Sequence, residues 1–167
     1  MEVWEAIQNK RAIRLYADRT LPDDAVERIL QAGRRAQSAH NWQAWDFIVV
    51  RDRDRLKALS LTGNITFVAE AALCVVIVTP LESEHMDWII FDAGQCAAYM
   101  QLAALEQGVV SCLGAVLRQD DARKILKYPE DKTAAMLIAF GYPGESDGRS
   151  RRRGRKSLDE IVHEETW

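Results

Sequence analysis

A run of basic residues near the amino terminus, KRAIR at positions 10–14, could present fixed cations to an anion. In an extended segment, alternate residues share a face, so Lys10, Ala12 and Arg14 point one way and Arg11 points the other. Ammonium and guanidinium groups held in this way form charge-assisted hydrogen bonds to phosphate. The alternative is that these residues form an ordinary solvated surface.

A second cluster, AQSAHNWQAW at residues 36–45, combines two tryptophans with serine and amide side chains. Hydrogen-bonding groups beside apolar ring faces are what a planar heteroaromatic ligand requires. The segment is equally explained as a loop that Trp45 anchors to the core, with its polar groups bonded to backbone.

The third cluster is a second basic run near the carboxyl terminus, RRRGRK at residues 151–156. It holds five of the 22 basic residues, which leaves 17 basic against 25 acidic residues in the rest of the chain. The formal net charge of -3 is too small to indicate nucleic acid or an anionic membrane as a partner. By itself the run could be a solvated tail or a weak nucleic-acid patch.

Several other kinds of site are not indicated. The three cysteines, Cys74, Cys96 and Cys112, are widely spaced in apolar stretches, which predicts buried thiols rather than disulfides or a metal site. Neither a HExxH pattern nor a glycine-rich phosphate loop occurs. No uncharged run approaches the ~18 residues of a membrane helix, and the first residues have no signal-peptide pattern. We therefore expect a cytoplasmic protein without a metal or membrane partner.

The hydrophobic pattern predicts helices and strands in alternation. Two helices come first, and the run LCVVIV at 73–78 has the uninterrupted apolar pattern of a strand covered on both faces. Helices are predicted at 2–9, 22–36, 52–61, 86–107 and 119–127, and strands at 47–50, 73–78, 109–116 and 134–140. The small-residue helix around Ala93 to Ala104 suits either a core or a dimer interface. The length of 167 residues predicts one mixed α/β or α+β domain, 1–167, with a basic carboxyl-terminal segment, 149–167.

Taken together and in order, the segments resemble the FMN-dependent nitroreductase family from about Val3 to Val162. The resemblance lies in KRAIRLY, AQSAHNWQAW followed by FIVV, TGNITFVAEAALCVVIV, DAGQCAAYMQLAALEQGVVSC, and AFGYP with RGRKSLDEIV. It implies an α+β fold with a central, mostly antiparallel sheet flanked by helices. It also implies an intertwined homodimer that binds FMN at the subunit interface and cycles between NADH or NADPH and a small acceptor.

The resemblance also implies which residues hold the cofactor. Those from the amino-terminal and central motifs are Lys10, Arg11, Ala12, Arg14, Gln37, Ser38, Ala39, Asn41 and Asn64. Those from the later motifs are Leu113, Gly114, Arg153 and Arg155. Residues 37–41 would reach the flavin of the partner subunit, and the last two arginines would bind the phosphate. Ala12 departs from the usual serine, and Gln37 and Ala44 replace two prolines.

This assignment requires no catalytic side chain, because flavin N5 carries the hydride. A cation such as Lys10 near the pyrimidine edge would favour negative charge there and raise the flavin potential. The short segment 80–87 leaves room for only a small lid, so we expect an open acceptor site lined by Trp42, His85 and Trp88. Alternatives are another flavin chemistry on the same fold, such as reductive dehalogenation or flavin fragmentation, or a flavin- or nucleic-acid-binding module without turnover.

Overall fold

The computed structural model describes residues 1–145 and 154–167. Five α-helices and four strands occur there, in the order α1 (Val3–Asn9), α2 (Asp23–Arg34), β1 (Asp46–Val50), α3 (Arg53–Ser60), β2 (Leu73–Pro80), α4 (Met86–Glu106), β3 (Val110–Gly114), α5 (Gln119–Leu126) and β4 (Lys132–Gly141). Short 3₁₀ turns lie at Ala39–Asn41, Thr66–Glu70 and Leu158–Glu160. Among these helices, none combines the length and apolar character needed to cross a bilayer.

The four strands form one antiparallel sheet in the order β1-β2-β4-β3. β2 lies inside the sheet, where Cys74 faces Val50 of β1 and Ala139 of β4. β3 pairs only with β4, so its other side is an edge of this sheet. The predicted α+β class with a mostly antiparallel sheet flanked by helices is confirmed.

Alternate residues of β2 point into two separate hydrophobic layers. Leu73, Val75 and Ile77 pack with residues of α2 and α4. Cys74, Val76 and Val78 pack with residues of α3 and α5. Helices thus cover both faces of the sheet, which is why β2 is apolar throughout although its neighbours are antiparallel.

The long helix α4 is apolar on two faces. Its inner face buries Ile89, Asp92, Ala93, Cys96, Ala97, Met100, Gln101 and Ala104. On its outer face, Phe91 and Tyr99 are 62% and 40% exposed, and a Cβ added at Gly94 would have no atom within 4 Å. The small residues therefore serve the core and also an uncovered surface. A helix that is apolar on both faces is usually buried on both.

Two further segments expose apolar side chains. α1 has no buried residue, and its Val3, Trp4 and Ile7 are exposed. Residues 154–167 are exposed throughout, including Trp167. Since exposed tryptophans are costly in water, these segments are candidates for contact with another chain.

Candidate flavin-binding site

Lys10, Arg11 and Arg14, here called the N-terminal basic group, lie along the edge strand β3. The amide of Ile13 donates to the carbonyl oxygen of Ser111 at 3.1 Å. This single bridge joins residue 12 to β3 in the parallel direction. The sequence motif is thus extended, as its spacing required, and lies about 100 residues away along the chain from the strand that holds it.

The charges of the N-terminal basic group lie close to β3 and α4. Lys10 and Arg14 both act on the buried Cys112, where they lower a thiol pKa that burial raises. The side chain of Arg11 donates to the carbonyl oxygen of Lys10 at 2.8 Å, and Lys10 and Arg11 both line a small cavity against Gln101 in α4.

No carboxylate neutralises the N-terminal basic group within residues 1–145 and 154–167, where every ion pair shorter than 4 Å involves other cations. Burial lowers the pKa of Lys10, because its ammonium has lost part of its water. The guanidinium of Arg14 lies 5.8 Å from the ring centroid of Phe67. An anion bound here would supply the negative charge that these three cations lack.

Asn64 is brought to the same region by a tight contact between the turn Thr62–Asn64 and the segment after β3. The carbonyl oxygen of Thr62 accepts from the amides of Leu117 and Arg118 at 2.9 and 2.8 Å. A Cβ on Gly63 would stand 2.4 Å from the carbonyl oxygen of Ala115. β3 ends at Gly114, two residues before the predicted end, and the chain just beyond it is bonded to this turn rather than to β4.

The end of β3 lies beside the turn Thr62–Asn64. Gly114 packs against Ile65, and an added Cβ there would lie 2.5 Å from the Ile65 side chain. Leu113 is 44% exposed. Because Ser111 directs its carbonyl outward to Ile13, the backbone of Leu113, two residues on, faces the same edge. The structure therefore places the predicted residues Lys10, Arg11, Ala12, Arg14, Asn64, Leu113 and Gly114 along β3 or beside its end.

The other predicted contacts lie in the loop of residues 37–43, here called the 37–43 loop. Three of its residues have left-handed backbone, with φ of 49°, 58° and 49° at His40, Asn41 and Gln43. The Ser38 hydroxyl accepts from the Gln43 amide at 3.1 Å. A buried carboxylate, Asp92 of α4, accepts from the Ala39 amide at 2.9 Å. These two bonds hold an otherwise strained loop against the first half of α4.

An aromatic cavity of about 630 Å³ adjoins this loop and is lined by Ala39, His40, Trp42, His85 and Trp88. The ring of Trp42 stacks on His85 with centroids 4.5 Å apart and lies 5.1 Å from His40. The three side chains predicted to line an acceptor site, Trp42, His85 and Trp88, thus share one cavity. His40 joins them, although the sequence did not single it out as a lining residue.

The 37–43 loop and the N-terminal basic group contact different parts of α4. The loop is bonded to Asp92, whereas Gln101 donates to the Ser111 hydroxyl at 3.1 Å beside the basic group. Nine residues of helix separate these anchors, a rise of about 13 Å. The two groups are therefore anchored at separate points along α4.

The carboxyl-terminal part of the prediction is only partly within the described residues. Arg155 is exposed and Arg153 lies outside the described ranges. Ser157 and Glu160 form a reciprocal capping box for the last 3₁₀ turn, which gives this segment local order without packing it on the core.

The three thiols are free and buried, as predicted. Burial raises the pKa of Cys74 to about 12 and that of Cys96 to about 12, with the Asp92 carboxylate adding to the shift of Cys96. None of these thiols is therefore a thiolate at neutral pH.

Asp92 is the residue that sequence reasoning missed. It is 4% exposed and holds the 37–43 loop, yet it lies inside a helix whose neighbours are apolar or small. The sequence did contain an indication of this role. An acidic residue between Phe91 and Ala93, in a helix predicted to be buried, needs a hydrogen-bond donor to compensate its burial.

Comparisons with known proteins agree with this arrangement. The profile of the Nitroreductase family matches residues 7–74 and 60–142. A protein of Archaeoglobus fulgidus named for NADH dehydrogenase/NAD(P)H nitroreductase activity is 34% identical, with 99% of each chain covered. The FMN reductase (NADPH) of Bacillus subtilis is 24% identical over 98% of this chain and 73% of its own.

Solved structures show the same relationship. An FMN-dependent nitroreductase from Clostridium difficile superimposes with a TM-score of 0.83 at 28% identity, covering 97% of this chain and 98% of its own. Fold, profile and sequence identity lead to one conclusion: the chain belongs to the nitroreductase family.

Proposed function

We propose that this protein is an FMN-dependent oxidoreductase that uses NADH or NADPH to reduce a nitroaromatic, a quinone or a similar small acceptor. The observation that carries the proposal is the N-terminal basic group, whose three cations pair with no carboxylate within residues 1–145 and 154–167, in a chain of net negative charge. When bound, FMN supplies hydride transfer through its N5, in separate half-reactions with NAD(P)H and acceptor.

The residues beside β3 suit FMN by their chemistry. A phosphate monoester carries nearly two negative charges, and Arg11 and Arg14 offer planar pairs of donors for it. Burial lowers the pKa of Lys10, and an anion beside its ammonium would raise that pKa again. Asn64 and the backbone of Leu113 add hydrogen-bonding groups for the ring edges, and Arg153 and Arg155 would add cations from the carboxyl-terminal segment.

We further propose that two copies of the chain share each FMN. The 37–43 loop and the N-terminal basic group are anchored at different points of α4, Asp92 and Gln101, and the family resemblance implies that residues 37–41 reach the flavin of the partner subunit. The uncovered outer face of α4, the exposed α1 and the exposed carboxyl-terminal residues provide apolar surface for such a dimer. Gln37, Ser38, Ala39 and Asn41 would then contact the flavin bound by the partner.

The acceptor would bind in the aromatic cavity, next to the 37–43 loop. Ala39 both lines this cavity and belongs to the predicted flavin contacts, so an acceptor there would lie beside the cofactor. The side chains offer ring faces and hydrogen-bonding groups, which orient a substrate without forming a bond to it. No nucleophilic or acid–base side chain is required for the chemistry we propose.

An anaerobic titration of the purified protein tests this function. We expect a yellow protein with bands near about 370 and 450 nm, bleached by one equivalent of NADH or NADPH per flavin and restored by a quinone or nitroaromatic. A protein that stays colourless with added FMN would refute the proposal. A yellow protein that neither pyridine nucleotide bleaches would instead be a flavin-binding module without turnover.

A further inference from the structure

We infer that the aromatic cavity selects planar aromatic acceptors that are neutral or positively charged and disfavours anionic ones. The inference rests on the proposed function and narrows its acceptor class by charge. Two observations support this inference. Stacked rings line the cavity, and two carboxylates contact its lining residues.

The stacked rings give the cavity its preference for planar molecules. Trp42 stacks on His85 with ring centroids 4.5 Å apart, His40 lies tilted beside it at 5.1 Å, and Trp88 completes the lining. Trp88 is 59% exposed, so its indole face is available to a ligand, and Trp42 is 39% exposed beside it. Indoles are electron-rich, and quinones and nitroaromatics are electron-poor, so offset stacking between them is favourable.

Two carboxylates touch lining residues of the cavity. Glu84 Oε1 lies 3.5 Å from Nε2 of His85, at the edge of the ring stack. Asp92 accepts from the amide of Ala39, another lining residue, and it is buried. Both place negative charge beside any molecule in the cavity.

The local sequence strengthens this negative field. The segment between β2 and α4 also carries Glu82, the first turn of α4 carries Asp87, and neither contains a lysine or arginine. Within the described part of the chain, the lining itself contains neither of these cations. An indole face also attracts a cation, whereas it repels an anion. A carboxylate on the acceptor would therefore be repelled both by the indole faces and by the carboxylates around the cavity.

Binding of three probes of matched shape tests the inference directly. They are para-nitrobenzamide, para-nitrobenzoate and the para-nitrobenzamidinium cation, titrated calorimetrically into the oxidised, purified protein at one mildly alkaline pH. We expect the cation to bind at least about tenfold more tightly than the anion, with the amide in between. A unit charge about 6 Å away in a water-like dielectric changes affinity roughly threefold, in opposite directions for the two ions.

Glu84→Gln isolates the rim charge, because this side chain is 86% exposed and its removal leaves the core intact. We expect the cation-to-anion affinity ratio to fall roughly tenfold and the amide to be unaffected. Glu27→Gln is the matched control: it removes the same charge from α2, beside Glu106 at the far end of α4, and should leave the ratio unchanged. Trp42→Leu should weaken all three probes alike.

Equal binding of cation and anion by the unmodified protein, or a ratio that Glu84→Gln leaves unchanged, would overturn the inference. Bleaching of the flavin by NADH or NADPH is measured on the same preparations. If bleaching fails, the proposed function is rejected, while the affinity ratios still decide whether the cavity selects by charge. If bleaching is normal and the ratio does not respond, only the charge selection is rejected.

Discussion

Replacing Gly63 by alanine is expected to destabilise the protein by opening the contact between the turn Thr62–Asn64 and the segment after β3. The added Cβ would stand 2.4 Å from the carbonyl oxygen of Ala115, whereas ordinary contacts begin near 3.4 Å. The turn must therefore move by about 1 Å. That movement stretches the two hydrogen bonds at Thr62, which are 2.9 and 2.8 Å long in the native structure.

The size of the effect follows from competing terms. Overpacking of this kind costs about 1–3 kcal/mol, and two weakened hydrogen bonds add about 1 kcal/mol. The lower entropy of the unfolded chain with alanine returns about 0.4–1 kcal/mol. We expect the free energy of unfolding to fall by about 2 kcal/mol. Because Asn64 moves with the turn, FMN affinity should weaken by up to about tenfold, the value of one hydrogen bond.

Urea unfolding followed by circular dichroism, at one protein concentration with and without FMN, measures this change. Gly144→Ala is the matched control, since its Cβ would meet its nearest atoms at 3.5 Å, an ordinary contact. That variant should unfold within about 0.5 kcal/mol of the unmodified protein. If Gly63→Ala is as stable as Gly144→Ala, the turn does not clamp the end of β3 as argued.

Three further predictions concern the cofactor, the dimer and the thiols. Arg153→Ala with Arg155→Ala should lose most bound FMN at an unchanged unfolding midpoint, measured by the ratio of flavin to protein absorbance; full retention of FMN would make the basic run a solvated tail. Phe91→Asp, which places a charge on the outer face of α4, should yield monomers in light scattering after gel filtration, and an intact dimer would place the interface elsewhere. Burial raises the pKa of Cys74 to about 12, so the unfolded chain loses this proton first and stability falls as pH rises. Urea unfolding should lose about 1 kcal/mol between pH 9 and 10 through this thiol, and an equal slope in Cys74→Ala would contradict that origin.

The sequence predicted the elements whose signal is local. The apolar run of β2 and the helical pattern of α4 both appear within a few neighbouring residues, and the structure has both of them. The main differences are at element ends. β3 ends at Gly114, before its predicted end, and just beyond it the amides of Leu117 and Arg118 bond to Thr62, a partner more than fifty residues away.

What the sequence could not predict is the set of contacts between distant segments. Nothing near residue 13 indicates that its amide bonds to Ser111, and nothing near Ala39 indicates that Asp92 accepts from it. These pairings depend on how the sheet and α4 are placed, and that placement is a property of the whole chain. The resemblance to a family supplied the roles of the motifs, whereas the structure supplied their division into two groups.

The central claim is that the N-terminal basic group of one chain and the 37–43 loop of another bind the same FMN. Mixed dimers test it most directly: one chain carries Lys10→Ala and Arg14→Ala, the other carries Ser38→Ala and Asn41→Ala, and two different affinity tags select the hybrid. Each variant alone should lose most of its flavin. The hybrid has one site with both groups intact, so we predict one tightly bound FMN per mixed dimer. Flavin content no higher than in the two homodimers would contradict the shared site.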